Sequence, residues 1–293
     1  MRLLVSITLL TLFAHVPASA QDAALSVRAM SFNIRYNNPG DGIHAWPNRA
    51  DDAARTIAFW DADVAGLQEA LRGQIDDVSM RLPDYAWLGV GRDDGADAGE
   101  FSPIFYKRDR FNVVEQGTFW LSPTPDEVGS QGWDAALPRI ATWAHLQDKA
   151  TEARFLIVNT HFDHVGEEAR VQSAQLIRSR LENMPLLRLP DIPIILMGDF
   201  NVTPDHAAYA ALTSAHQSHR MFYDARHVAR RPAYGPEGTF SGFTVGEESD
   251  RRIDYIFTSA AWSVERYGVL NAHREGRYPS DHLPVVAELL WMP

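Results

Sequence analysis

Short runs rich in Val, Ile, Phe, Tyr and Trp recur along the chain, at Val27–Ile34, Val64–Gln68, Tyr85–Gly89, Pro103–Tyr106, Arg139–Leu146, Phe155–Thr160, Ile192–Met197, Ile253–Thr258, Trp262–Leu270 and Leu283–Leu290. Their length and their partial alternation of apolar with polar residues predict strands. Two stretches carry a helical pattern instead. Glu167–Met184 places Val171, Ala174, Leu176, Ile177 and Leu181 near a 3.6-residue repeat, and Pro185 ends it. Asn48, after Pro47, is the expected N-cap of a helix running through Trp60. Many strands alternating irregularly with few helices predict an α/β fold in which sheets pack on each other with helices outside.

Several of these runs end in polar residues. Ile192–Met197 stops at Gly198-Asp199-Phe200-Asn201. In an extended chain residues i and i+2 face the same side, so Asp199 and Asn201 are expected to share one cavity while Phe200 turns back to the core. Asn33 closes the first strand, where it reads equally as a turn former. Gln68-Glu69 closes Val64–Leu67 just before a helical stretch, where a lone Glu also suits a helix start. Asp254 lies inside the apolar run Ile253–Phe257 and, once buried, needs a cation or an imidazole; His282 of Ser280-Asp281-His282 is the candidate. An Asp that fixes one tautomer orients a histidine for acid–base work or phosphate contact. Glu100 is placed to do the same for His161.

Other clusters have two readings each. His161, Asp163 and His164 suit zinc, although an early Asp-x-His and a later Gly-Asn-His are missing. The basic segment His216–Arg231 reads as a phosphate-binding rim or as a solvated loop. Trp46 and Arg49 suit either substrate stacking and pairing near Asn33 or core packing.

The first twenty residues stand apart from the fold. Arg2, the apolar run Leu3–Phe13 and Ala18-Ser19-Ala20 match a cleavable signal peptide, with cleavage expected after Ala20 and a periplasmic or secreted product. The run is shorter than the ~20 residues of a bilayer span, and no later segment is long and apolar enough to be one. Residues 21–293, without a linker or repeat, are expected to form a single domain. With no cysteine, only oxygen and imidazole ligands are open to a metal. A net charge of −11, from 38 acidic and 27 basic residues, disfavours a protein that coats long nucleic acid.

Taken in order, Asn33, Gln68-Glu69, Thr160-His161, Gly198-Asp199-Phe200-Asn201, Arg252-Ile253-Asp254-Tyr255 and Ser280-Asp281-His282 resemble the endonuclease/exonuclease/phosphatase superfamily, over roughly Val27 to Glu288. The resemblance implies a four-layer sandwich of the deoxyribonuclease I kind, two packed mixed β-sheets flanked by helices. It implies Mg²⁺ or Mn²⁺ held by Glu69, with Asn33 and Asp281 close by. Asp199 would orient or deprotonate the attacking water, and Asn201 would bond the phosphoryl oxygens. His282, held by Asp254, and His161, supported by Glu100, would clamp the phosphate or protonate the leaving oxygen. Arg139 matches a phosphate-contacting arginine of the nuclease branch, and Trp46 and Arg49 would join the substrate contacts. Met30-Ser31-Phe32-Asn33-Ile34-Arg35 with Trp46-x-x-Arg49, and Gly117-Thr118-Phe119-Trp120-Leu121-Ser122, look like a bacterial exported branch.

The expected activity is phosphodiester hydrolysis on nucleotides, oligonucleotides or another small phosphoester, without an obligate protein partner. Two alternatives are a sphingomyelinase-like lipid phosphodiesterase, for which Phe119-Trp120-Leu121 and Trp262 supply aromatics, and a catalytically inactive binding module.

Overall fold

The computed structural model describes residues 24–185, 192–215, 222–247 and 249–292. The signal-like segment, and His216, His219 and Arg220 of the basic segment, lie outside the described residues.

Alternating burial builds two six-stranded mixed sheets. In the first, β1 (Leu25–Asn33), β2 (Val64–Gln68), β3 (Tyr85–Leu88), β4 (Ile104–Lys107), β11 (Ser263–Val269) and β12 (Val285–Trp291) run in the order β11-β12-β1-β2-β4-β3. In the second, β5 (Phe111–Trp120), β6 (Ile140–Asp148), β7 (Arg154–His161), β8 (Ile194–Asp199), β9 (Tyr223–Asp224) and β10 (Asp254–Thr258) run in the order β5-β6-β7-β8-β10-β9. Each sheet has one parallel pair, β1–β2 and β7–β8.

Residues Val27, Ala29, Val64, Ile157, Ile195, Met197 and Ile256 point between the sheets and form the central core. Their alternates point outward. Met30, Phe32, Ala65 and Leu67 pack under α1 (Ala50–Trp60) and α2 (Arg72–Arg81). Leu156, Val158, Leu196 and Phe257 pack under α3 (Glu167–Glu182) and α4 (Ala207–Thr213). The result is helix, sheet, sheet, helix, the expected four-layer α/β sandwich. A short helix, α5 (Ala225–Val228), packs beside β10 and β11.

Several local features differ from, or decide between, the readings of the sequence pattern. β5 carries Glu115-Gln116-Gly117 and a bulge between Val113 and Glu115, so its alternation is broken. Asn48 does not cap α1: a 3₁₀ turn at Trp46–Asn48 precedes the helix, and Asn48 instead donates to the Ile43 carbonyl at 3.3 Å. Phe119, Trp120, Leu121 and Trp262, the aromatics considered for membrane entry, are buried. Among the described residues no helix is long and apolar enough to cross a membrane.

One glycine fixes how closely the sheets approach. A Cβ on Gly66 of β2 would lie 2.6 Å from the Asn159 amide of β7 and 2.8 Å from Met197 Sδ. Asn159 cannot move aside, because its amide donates to the Leu67 and Pro103 carbonyls at 2.7 and 2.9 Å and accepts from Gln68 at 2.7 Å. Gly66→Ala is therefore expected to destabilise the fold by about 2 kcal/mol, read as a lower urea midpoint; an unchanged midpoint would show the sheets to be loosely coupled here.

Candidate active site

The central core turns polar at one end of the sandwich because the strand ends that meet there carry polar residues on their inward faces. β1 ends in Ser31 and Asn33, β2 in Gln68, β7 in Asn159 and His161, β8 in Asp199, and β10 begins at Asp254. The register aligns His161 with Asp199 and Asp254 with Asp199, so adjacent strands deliver all three to one level. Gly198 permits this, since a Cβ there would lie 2.1 Å from the Thr160 carbonyl oxygen.

The contacts converge on Asp199. Asn33 Nδ2 donates to Asp199 Oδ2 at 2.9 Å and to Glu69 Oε1 at 3.1 Å. The Nε2 atoms of His161 and His282 lie 3.4 and 3.7 Å from the same Asp199 oxygen. Asp199 Oδ1 accepts the Asn201 N–H at 2.9 Å, and the Asn201 amide reaches His161 Nε2 and the Phe162 carbonyl, both at 3.1 Å. Arg35, Glu69 and Asn201 all take left-handed backbone, φ 53°, 59° and 51°. Such conformations cost energy outside glycine and collect at functional sites. No periodicity in the sequence signals them.

The electrostatics separate the two histidines. Burial and then the nearby charge of Arg139 hold His161 well below the usual histidine range, so it is neutral. Burial acts the same way on His282, but Asp254 and Asp199 outweigh it and hold His282 protonated. Asp254 Oδ2 lies 2.9 Å from His282 Nδ1, the pairing expected from the sequence. Burial, then the charge of Asp254, pushes the Asp199 carboxyl up to about 7.

Among the described residues two groups have ligand atoms within 4.8 Å of one another: Glu69, His161 and Asp199, and Asp199, Asp254 and His282. The first suits a divalent cation better. It joins two carboxylates to a neutral imidazole whose Nε2 lone pair, held by the Asn201 amide, would turn to the cation, whereas the second already contains the positive charge of His282. Asp281, expected beside Glu69, lies across the Arg35 guanidinium, which is 3.9 Å from both carboxylates. Burial raises the Asp281 carboxyl.

Other expected residues serve elsewhere. Glu100 is 3.8 Å from His161 Nδ1, beyond hydrogen-bond distance, because Arg92 holds its carboxylate at 2.7 and 3.1 Å. Asp163 does not join a zinc set: its Oδ1 accepts the N–H groups of Val165 and Gly166 at 2.9 and 2.7 Å. His164 Nδ1 instead meets Arg139 at 2.9 Å. Arg139 is buried beside Asp163 with Nη1 unpartnered, a cation next to His161 rather than an open arm. In the basic segment, His227 and Arg226 face the carboxylates of Asp224 and Glu237, and Arg230 faces Glu265.

Trp46 and Arg49 are also buried, and the structure gives them structural partners in place of an open substrate surface. Trp46 donates to Asp77 at 2.8 Å. The Arg49 guanidinium donates to the carbonyls of His44, Ile34, Pro279 and Arg35. It thereby locks the turn after Asn33 to the segment leading into Asp281 and His282. Lysine lacks the fork that reaches four carbonyls. Arg49→Lys is expected to lower kcat/KM by about 10- to 100-fold through misplacement of these groups; an unchanged kcat/KM would show the clamp to be dispensable.

The arrangement has close relatives. An endonuclease/exonuclease/phosphatase family protein of Bacteroides thetaiotaomicron superposes with a TM-score of 0.86 at 41% identity, over 92% of this chain and 96% of that one. A mannosyl-6-phosphatase of the same species gives 0.83 at 42% identity, over 90% and 99%. The Ccr4 exoribonuclease subunit of Mycosarcoma maydis is 23% identical over 83% of this chain, which spans only 46% of that relative's length. The Endonuclease/Exonuclease/phosphatase family model matches residues 30–282, from the start of the first polar strand end to His282, and the chain belongs to this family.

Proposed function

We propose that this chain is an exported phosphatase that removes phosphate from a sugar phosphate monoester, using Mg²⁺ or Mn²⁺ bound at Glu69. The coarser statement, a metal-dependent phosphoesterase, follows from the family and the two ligand clusters. The observation that carries the chemistry is the convergence of Asn33, His161 and His282 on Asp199 Oδ2.

A divalent cation bound there, when present, would neutralise phosphate charge and polarise the ester. Asp199, with its raised basicity, orients or deprotonates the attacking water. Protonated His282 and the Asn201 amide donate to phosphoryl oxygens, where negative charge grows in the transition state. Asp254 fixes the His282 ring. His161, neutral, would give the cation the Nε2 lone pair that otherwise holds the Asn201 amide, and so would free that N–H for a phosphoryl oxygen. Asn33 keeps Glu69 and Asp199 at a fixed separation.

The substrate reading rests on the 42% identical mannosyl-6-phosphatase. Weaker likeness to the Ccr4 subunit favours the phosphodiester reading. One experiment separates them: turnover of mannose 6-phosphate and other hexose phosphates against bis-para-nitrophenyl phosphate and oligonucleotides, with EDTA and after Mg²⁺ or Mn²⁺ is restored. Metal-dependent release of phosphate from hexose phosphates is expected. Faster turnover of oligonucleotides would replace the sugar reading with the diester one. Export rests on the N-terminal segment and is tested by the mass of the secreted protein, expected to begin at Gln21.

A further inference from the structure

Two helices cannot cover the outer face of a six-stranded sheet, and the part left open holds a second cleft. Its floor is the outward face of β11 and β12, with Gly268, Leu270 and Val286. One wall is α1, the other the segment 271–279, and together they enclose about 680 Å³, within the range of small-ligand sites. No residue of the site around Asp199 lines it.

Two features describe what the cleft would hold. The first is aromatic. Phe59 at the end of α1 is 88% exposed, and Tyr234 is 66% exposed although its backbone is fastened to β11 through Tyr267 and Val269. Both rings are thus presented to solvent from fixed backbone. Trp60 lies beside them, and its buried indole N–H has no partner.

The second feature is ionic. Arg55 and Arg274 both bond Asp52, at 3.1 and 3.3 Å. Arg277 bonds Glu275 at 3.3 Å and Arg266 bonds Glu288 at 3.2 Å. Each arginine lining the cleft thus faces a carboxylate, with Arg55 and Arg274 sharing Asp52. An anionic ligand would have to compete with these carboxylates, and an aliphatic one would leave the pairs unused. A polyhydroxylated ring fits both features: its C–H faces lie on aromatic rings, and its hydroxyls accept from guanidinium groups and donate to their carboxylates. We infer that this cleft is a non-catalytic binding site for a neutral oligosaccharide.

The test is calorimetric titration of the full chain with neutral trisaccharides of mannose, glucose and N-acetylglucosamine. Binding of at least one is expected, weakened about tenfold or more in Phe59→Ala and in Tyr234→Ala. Both positions are exposed, so the variants are expected to keep the parent melting temperature and the parent rate on a small phosphoester. Absence of binding by all three sugars overturns the proposal, as does binding that both variants retain. Binding that inorganic phosphate abolishes would place the sugar in the catalytic site and also overturn it. Capture of an apolar dye instead, lost in Phe59→Ala, would mark the cleft as a hydrophobic site. Because binding is read without turnover, failure of the phosphatase reading leaves this result interpretable.

Discussion

Asp199→Asn is expected to lower kcat/KM by about 10³-fold or more while the protein stays folded. Both carboxylate oxygens are acceptors from fixed donors, Oδ1 from the Asn201 N–H and Oδ2 from the Asn33 amide, each at 2.9 Å. An amide satisfies only one of them and sets a donor against the other, so the geometry shared by Asn33, His161 and His282 is lost together with the base. Loss of a positioned general base alone is worth about 10²–10⁴ in rate. Stability is expected to move the other way at neutral pH. The folded pKa of Asp199 lies above its unfolded value, so its ionised form is disfavoured in the fold. That cost is absent below the unfolded pKa of about 4 and grows as pH rises toward 7. The uncharged amide of the Asp199→Asn variant carries no such cost, which offsets the mismatched hydrogen bond. Melting curves beside steady-state kinetics check both halves; a folded variant within tenfold of the parent would remove Asp199 from the chemistry.

How much of this was legible in the sequence depends on whether a property is local. The strand ends were legible, because β-alternation puts Asp199 on the inward face and turns Phe200 to the core by elementary geometry. The Asp254–His282 pair was legible for an energetic reason: an acid in an apolar strand demands a partner. Arg49 carries two readings in the sequence because a buried arginine and a substrate-facing one look alike in one dimension; only the folded chain brings four carbonyls around it. The sequence does not show that Glu100 pairs with Arg92 in place of His161, because Arg92 sits across a turn whose closure no periodicity shows. The network of Gln68 with Asn159 behind the site, bonded at 2.7 Å between the two sheets, was missed for the same reason. Its one trace in the sequence is Gly66, whose small size makes room for Asn159.

The second large effect is expected at Glu69. Its Oε1 accepts from Asn33 and its Oε2 from the Tyr36 N–H, both at 3.1 Å, so the carboxylate is held in one orientation. Each oxygen keeps a further lone pair for a cation. Mg²⁺ or Mn²⁺ at about 100 times its dissociation constant stabilises the fold by about 2.7 kcal/mol. In a chain of this size that corresponds to a melting shift of roughly 5 °C or more. Glu69→Gln preserves the shape and the acceptor toward Asn33 but removes the charge, and is expected to lose both the metal-induced shift and nearly all turnover. EDTA should abolish activity in the parent, and restored metal should return it. The control is Asp254→Asn, which belongs only to the other ligand cluster. If the cation binds with Glu69, Asp254→Asn keeps the melting shift and loses turnover, because His282 loses its orienting partner. If Asp254→Asn loses the shift and Glu69→Gln keeps it, the cation sits between Asp199, Asp254 and His282, and His282 must then be neutral and a ligand in place of a phosphate donor.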